Sequence, residues 1–246
     1  TVLQTNGDSV KTILFCEEQF LKGKNVRPQF PGRNVGLMFG LESSLHPFIG
    51  HPSYKEISHL PLNERLSIMR DPAFKQKILN ESPSFREDLQ KAAKEQKSNK
   101  TKEEIKAEAE IGKKLISNYE TQFILSDPPN YEPTREDSIA YLAEQRNQSE
   151  EEVIYDELIK DDGKSLIYAC FTPYENHKLK FVETFYKLKS SVAGGSDGGA
   201  HCGLICDASM PTTNLSHWAR DRSAGNKIPL ELIICLLYTS DAADDA

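Results

Sequence analysis

The first 30 residues constrain the fold most, because they read as strand, helix and strand in quick succession. Thr1-Val2-Leu3-Gln4-Thr5 has strand-like composition, and Asp8 or Ser9 is placed to cap a helix. Val10, Ile13, Leu14, Phe20 and Leu21 then recur at helical spacing, which predicts one apolar stripe packed on a sheet. Gly23 ends that helix, and Asn25-Val26-Arg27-Pro28-Gln29-Phe30 reads as the next strand. A crossover of this length joins parallel strands, so an α/β fold with a parallel sheet is expected.

The rest of the chain repeats the alternation with one interruption. From Pro31 to about Pro83 the pattern breaks into loops and short helices. Ser84 to about Ile116 is rich in Lys, Glu, Ala and Gln with sparse apolar positions, which predicts one or two long, mostly solvated helices. Tyr119–Leu125 returns to strand composition and is stopped by Asp127-Pro128-Pro129. Arg135–Gln145 and Glu150–Ile159 read as helices, the second opened by Ser149 with Glu151 and Glu152 in its first turn. Ser165–Phe171 is a buried-type strand, Asn176–Lys187 a helix, and Lys187–Ala193 a further strand. Thr212–Arg220 and Pro229–Cys235 are again helical. This order fits the second half of a (β/α)8 barrel of TIM type, about its last four β/α units, with a helical insertion over about 31–118.

Composition removes several function classes. With 246 residues, 38% of them hydrophobic, and a net charge of −7, the profile is that of an ordinary globular chain. An acidic balance argues against nucleic acid, which needs a concentrated basic face. No apolar run approaches the ~20 residues needed to span a bilayer, so no membrane partner is expected. No signal peptide is visible. The five cysteines, an odd and widely spaced set, do not read as a disulfide framework and point to a reducing cytoplasm. Cys202 and Cys206 with His201 match no common zinc spacing. His46, His51 and His59 share no helical face; solvated or core-satisfied roles suit them better than metal ligation.

The stretch with most chemical content is Gly194-Gly195-Ser196-Asp197-Gly198-Gly199-Ala200-His201, at the end of the strand leading through Ala193. Glycines there allow close backbone approach, and strand C-termini are where barrel enzymes place reacting side chains. An aspartate so placed can carry a proton from water to a leaving group. A solvated Asp-Gly turn is the alternative. The glycine spacing is not that of a dinucleotide-binding loop.

Ser196–His201 together with Cys202-Gly203-Leu204-Ile205-Cys206-Asp207-Ala208-Ser209-Met210-Pro211-Thr212-Thr213-Asn214-Leu215-Ser216-His217-Trp218-Ala219-Arg220-Asp221-Arg222 resembles the last barrel strand and following helix of the amidohydrolase superfamily. The closer likeness is to the N-acyl-D-amino-acid deacylase branch, amidohydrolase family 3. Val35–Glu42 with His46-Pro47-Phe48, Leu62–Arg65 with Met69–Pro72, Asp127–Pro133 and Asp161-Asp162-Gly163 extend the likeness to about Ile234. The resemblance implies a hydrolase of non-peptide C–N bonds acting on a small-molecule amide such as an N-acyl amino acid. Asp197 would be the catalytic proton shuttle and a possible metal ligand. Zinc is implied by the family rather than by these residues, its other ligands expected upstream of Thr1 and the fragment alone expected to be inactive. The strand segments Thr1–Thr5 and Val26–Phe30 carry no histidine, and Arg27–Pro31 lacks the acid of the family's corresponding segment. A metal-free relative serving as a binding or structural subunit is therefore the second expectation. His201 would line the substrate pocket or satisfy its own turn. Arg220 and Arg222 would hold a substrate carboxylate or pair with Asp221 or Asp207 at the surface. The barrel domain is expected over 1–235, and 236–246 reads as a non-native tail resembling translated adapter DNA.

Overall fold

The computed structural model describes residues 8–83, 101, 110, 116–172, 174, 177–194 and 209–241. Asp197, His201, Cys202, Cys206, the Thr1–Thr5 strand and nearly all of the charged segment 84–115 lie outside them. The chain divides into two compact units: Thr1–Leu37 with Asn130–Thr134 and Cys170–Ala246, and Met38–Pro129 with Arg135–Ala169. The described strands form two sheets: β1 (Gln29–Phe30) beside β5 (Val192–Ala193), and a three-stranded one in the order β2 (Val35–Phe39), β4 (Ile167–Thr172), β3 (Gln122–Ile124). Among the described residues no helix is long and apolar enough to cross a membrane.

In the first unit, helix α1 (Asp8–Leu21) forms where its spacing predicts and stops at Gly23. That glycine has φ +84° and donates to the Phe20 carbonyl at 2.9 Å, a left-handed stop that costs glycine little. The apolar stripe behaves differently from expectation. Leu14 and Leu21 are 53% and 63% exposed, while Gln19 is buried. Helix α1 is instead anchored by Glu17, whose carboxylate accepts from the backbone N–H groups of Lys189 (3.2 Å) and Ser190 (3.0 Å). These two N–H groups and the Ser190 hydroxyl, which also donates to Glu17, hold the helix where much of the stripe is exposed.

Strand β1 (Gln29–Phe30) pairs in parallel with β5 (Val192–Ala193), Gln29 opposite Val192 and Phe30 opposite Ala193. The ladder extends by one bond at each end, Val192 N–H to Pro28 O and Gly194 N–H to Phe30 O. Only the last two residues of the predicted Asn25–Phe30 strand pair, since Pro28 lacks an N–H to contribute. Phe30 is buried against the stacked ring of Phe185 (4.8 Å) and the edge of Tyr186 (5.0 Å). Phe185 closes a short helix, Lys180–Phe185, within the longer predicted one. A four-residue α-helix, Met210–Thr213, runs directly into a π-helical stretch, Asn214–Asp221. Gly32 sits where a Cβ would fall 1.4 Å from Asn214 Oδ1, so no larger residue fits that crossing. Its carbonyl accepts from Trp218 Nε1. The final helix, Leu230–Asp241, begins as expected and passes without a break through Cys235, with Leu236 buried. The boundary expected at 235 therefore falls inside a helix.

Strand β2 (Val35–Phe39), at the entry to the second unit, occupies a stretch expected to be loop. Its glycine-flanked run, Val35-Gly36-Leu37-Met38-Phe39, offers no alternation, yet Leu37 and Phe39 are fully enclosed. Three short helices follow as predicted: Pro52–Ile57, Leu62–Met69 and Pro72–Leu79. Asp71 caps the last, its Oδ1 accepting from Ala73 N–H at 2.9 Å. Strand β3 (Gln122–Ile124) pairs with β4 (Ile167–Thr172) from Gln122–Ala169 to Ile124–Ile167. That pairing is antiparallel, whereas β1 and β5 run parallel; the Thr1–Thr5 strand of the expected βαβ unit lies outside the described residues. Helices Ile139–Arg146 and Glu150–Leu158 lie between β3 and β4 in sequence, the second capped by Ser149 as expected and the first by Ser138, four residues into the predicted helix and after a 3-10 turn at Arg135–Asp137.

The core of this unit gathers Phe48, Tyr54, Leu66, Met69, Ile78, Phe123, Ile139, Val153, Ile154 and Tyr155. Tyr155 donates its hydroxyl to the Met69 carbonyl at 2.7 Å, satisfying a polar tip inside that core. The Gly36–Pro72 stretch supplies Phe48, Tyr54, Leu66 and Met69 to this core. Removing it would therefore destabilise the unit itself.

Candidate functional site

The chain leading to Asp197 is described as far as Gly194. A Cβ there would lie 1.9 Å from Gln29 Nε2, so the glycine lets strand β5 end tightly against its parallel neighbour. Asp197 follows three residues on, beyond the described segment, as does His201.

The described residues bring together a different cluster, built wholly within the first unit. Glu132 is its centre, held in the short segment Asn130–Thr134 by an Asx turn in which Glu132 N–H donates to Asn130 Oδ1 at 3.0 Å. Its buried carboxylate accepts from Arg222 Nε (3.0 Å, at Oε2) and Arg222 Nη2 (2.9 Å, at Oε1). His217 Nε2 lies 3.0 Å from the same Oε2. Leu179 N–H adds a longer bond to Oε1 at 3.4 Å. The guanidinium is thus engaged as a planar fork, the strong geometry for an arginine and a carboxylate. Its remaining Nη1 donates to Glu183 Oε2 (3.2 Å) and to the Asn226 carbonyl (2.7 Å). Arg222 also lies over the Trp218 ring, 4.2 Å from its centroid.

The π-helical stretch explains how two residues five apart reach one carboxylate. In an α-helix, positions i and i+5 point about 140° apart. Here Arg222 N–H bonds to His217 O at 2.8 Å, the i to i+5 link of a π turn, and both side chains face Glu132.

Electrostatics follow from these bonds. Burial alone would push the Glu132 carboxyl up, but hydrogen bonds from His217 and Arg222, with the charge of Arg222, hold it down at about 2. Because the folded value lies below the ordinary 4.5, the unfolded chain binds more protons between the two. The stabilisation is complete above about pH 4.5 and is lost as pH falls towards 2, on the order of 3 kcal/mol in all. Urea titrations followed by fluorescence should show this acid slope, and a Glu132→Gln variant should show a shallower one. Equal slopes in both proteins would contradict the assignment.

The two arginines singled out from the sequence thus have different fates. Arg220 is exposed and chelates Asp221 through Nε (2.6 Å) and Nη2 (2.7 Å), the surface pairing that sequence reading held as its alternative. Arg222 is buried and fully engaged, so a substrate carboxylate would have to displace Glu132. Glu132, Glu183 and His217 were missed because 85 or more residues separate Glu132 from its histidine and arginine. The usable hint was a lone acid in a Pro-Pro-Asn-Tyr-Glu-Pro turn, a place where a carboxylate has no local partner.

In the second unit, His46 is buried with Nδ1 accepting from Phe48 N–H at 3.3 Å, and burial pushes its imidazole down to about 3. It is a neutral core histidine, and His59 is solvated. Among the described residues, no group of three or more His, Cys, Asp or Glu stands close enough to hold a metal ion. The described residues therefore do not compose the zinc site that the resemblance implies. No protein-family model, curated protein or solved structure matches the chain.

Proposed function

We propose that this chain is part of a hydrolase of non-peptide C–N bonds, an N-acyl amino acid deacylase built on a (β/α)8-type barrel. The observation that carries the reading is the continuous Ser196–Arg222 segment, which resembles the last strand and helix of that family. The parallel pairing of β1 with β5 supports it, since Asp197 then follows a strand end of the kind that presents reacting groups. In the reaction, water oxygen bonds to the acyl carbon and the C–N bond breaks. Asp197 takes the proton from the attacking water and delivers it to the departing amine nitrogen. Zinc enters through the resemblance alone. Arg220 is exposed and, among the described residues, its side chain pairs with Asp221, a partner it could exchange for a substrate carboxylate. Arg222 instead fixes Glu132.

Metal analysis paired with turnover on an N-acyl amino acid, both on the intact protein, tests the reading. Stoichiometric zinc with release of the free amino acid is expected. Absence of both would favour a binding or structural subunit instead.

A further inference from the structure

We propose that His217 is a proton-accepting residue in its own right, oriented by Glu132 through Nε2 so that Nδ1 is offered to a small molecule bearing an N–H or O–H. Three observations converge on it. Glu132 is held ionised by the Arg222 fork, and an ionised carboxylate only accepts hydrogen bonds. His217 Nε2, at 3.0 Å from Glu132 Oε2, must therefore carry a proton, and in the tautomer with that single ring proton the lone pair lies on Nδ1. The side chain exposures differ in the same sense: Arg222 and Glu132 are 2% and 3% exposed, His217 is 21% exposed. Nδ1 makes no hydrogen bond among the described residues.

The third observation is the backbone. A π-helical turn is uncommon and recurs at functional sites, and here it is what lets His217 and Arg222 share one carboxylate. The Trp218 ring meets the imidazole edge-to-face at 5.7 Å and fixes its plane. A base held by a buried carboxylate, itself held by a third group, is the arrangement that activates an imidazole. When a ligand proton moves to Nδ1, the ligand is left as its conjugate base and the imidazolium keeps its Nε2–H on Glu132. The charged groups facing His217 are Glu132 and Asp221, with Arg222 behind Glu132 and Arg220 behind Asp221. Glu183 reaches only Arg222. The inference stands apart from the role of Asp197, and either can fail alone.

Nitrogen NMR of the unsubstituted protein reads the tautomer, and diethylpyrocarbonate, which acylates unprotonated imidazole nitrogen, reads access to it. The expected result is an imidazole with its proton on Nε2, and Nδ1 carbethoxylated stoichiometrically alongside the exposed His59. That label should be lost entirely in His217→Gln. A proton found on Nδ1 at neutral pH, or a His217 left unlabelled while His59 reacts, would overturn the proposal.

Discussion

Replacing Glu132 with alanine should lower the unfolding free energy by about 3–5 kcal/mol, the largest single-site loss expected in the first unit. The substitution removes the acceptor for Arg222 and His217 together, and it strands a guanidinium that is 2% exposed. Glu183 and the Asn226 carbonyl hold only Nη1, so Nε and Nη2 would be left buried without their partner. The readout is unusually direct. Trp218 is the only tryptophan of the chain, is fully buried, and lies against Arg222. Urea unfolding followed by its fluorescence should show the midpoint falling. A double variant, Glu132→Leu with Arg222→Met, should recover much of the loss, because the cost lies in the unpaired charge more than in the missing contact. A midpoint unchanged in Glu132→Ala would remove the cluster from the account.

Asp197→Asn should reduce amide turnover by at least ~10²-fold in the intact protein while leaving the fold in place, the usual scale of general acid–base work. Asparagine keeps the shape and hydrogen-bonding reach of aspartate but does not titrate, so the proton from water has no acceptor. The loss should appear in kcat rather than KM, because the interaction lost exists only as the proton moves. Turnover within a few-fold of the parent on every amide tested would end the assignment of Asp197.

Local signals were legible in the sequence and long-range ones were not. Ser149 followed by glutamates marked a helix start within one residue, and Gly23 marked a helix end, because capping acts through neighbours. Strand β2 escaped because a short apolar run with a glycine at its second position has no alternation to betray it. The stripe on α1 misled for the converse reason: periodicity shows that a helix has an apolar face, not that anything covers it. Antiparallel pairing of β3 with β4 depends on how two distant segments return, which residue pattern does not encode. The Glu132 cluster was illegible on the same ground. Its carboxylate and its cations lie far apart in the chain, and only a π turn brings His217 and Arg222 to one side.

The most direct test of the central claim is product analysis on the intact protein supplied with an N-acyl amino acid. The account predicts that free carboxylic acid and free amino acid appear in equal amounts, with oxygen from labelled water in the acid alone. Both should all but disappear in Asp197→Asn. Amide recovered intact under conditions where the protein is folded and metal-replete would contradict the account.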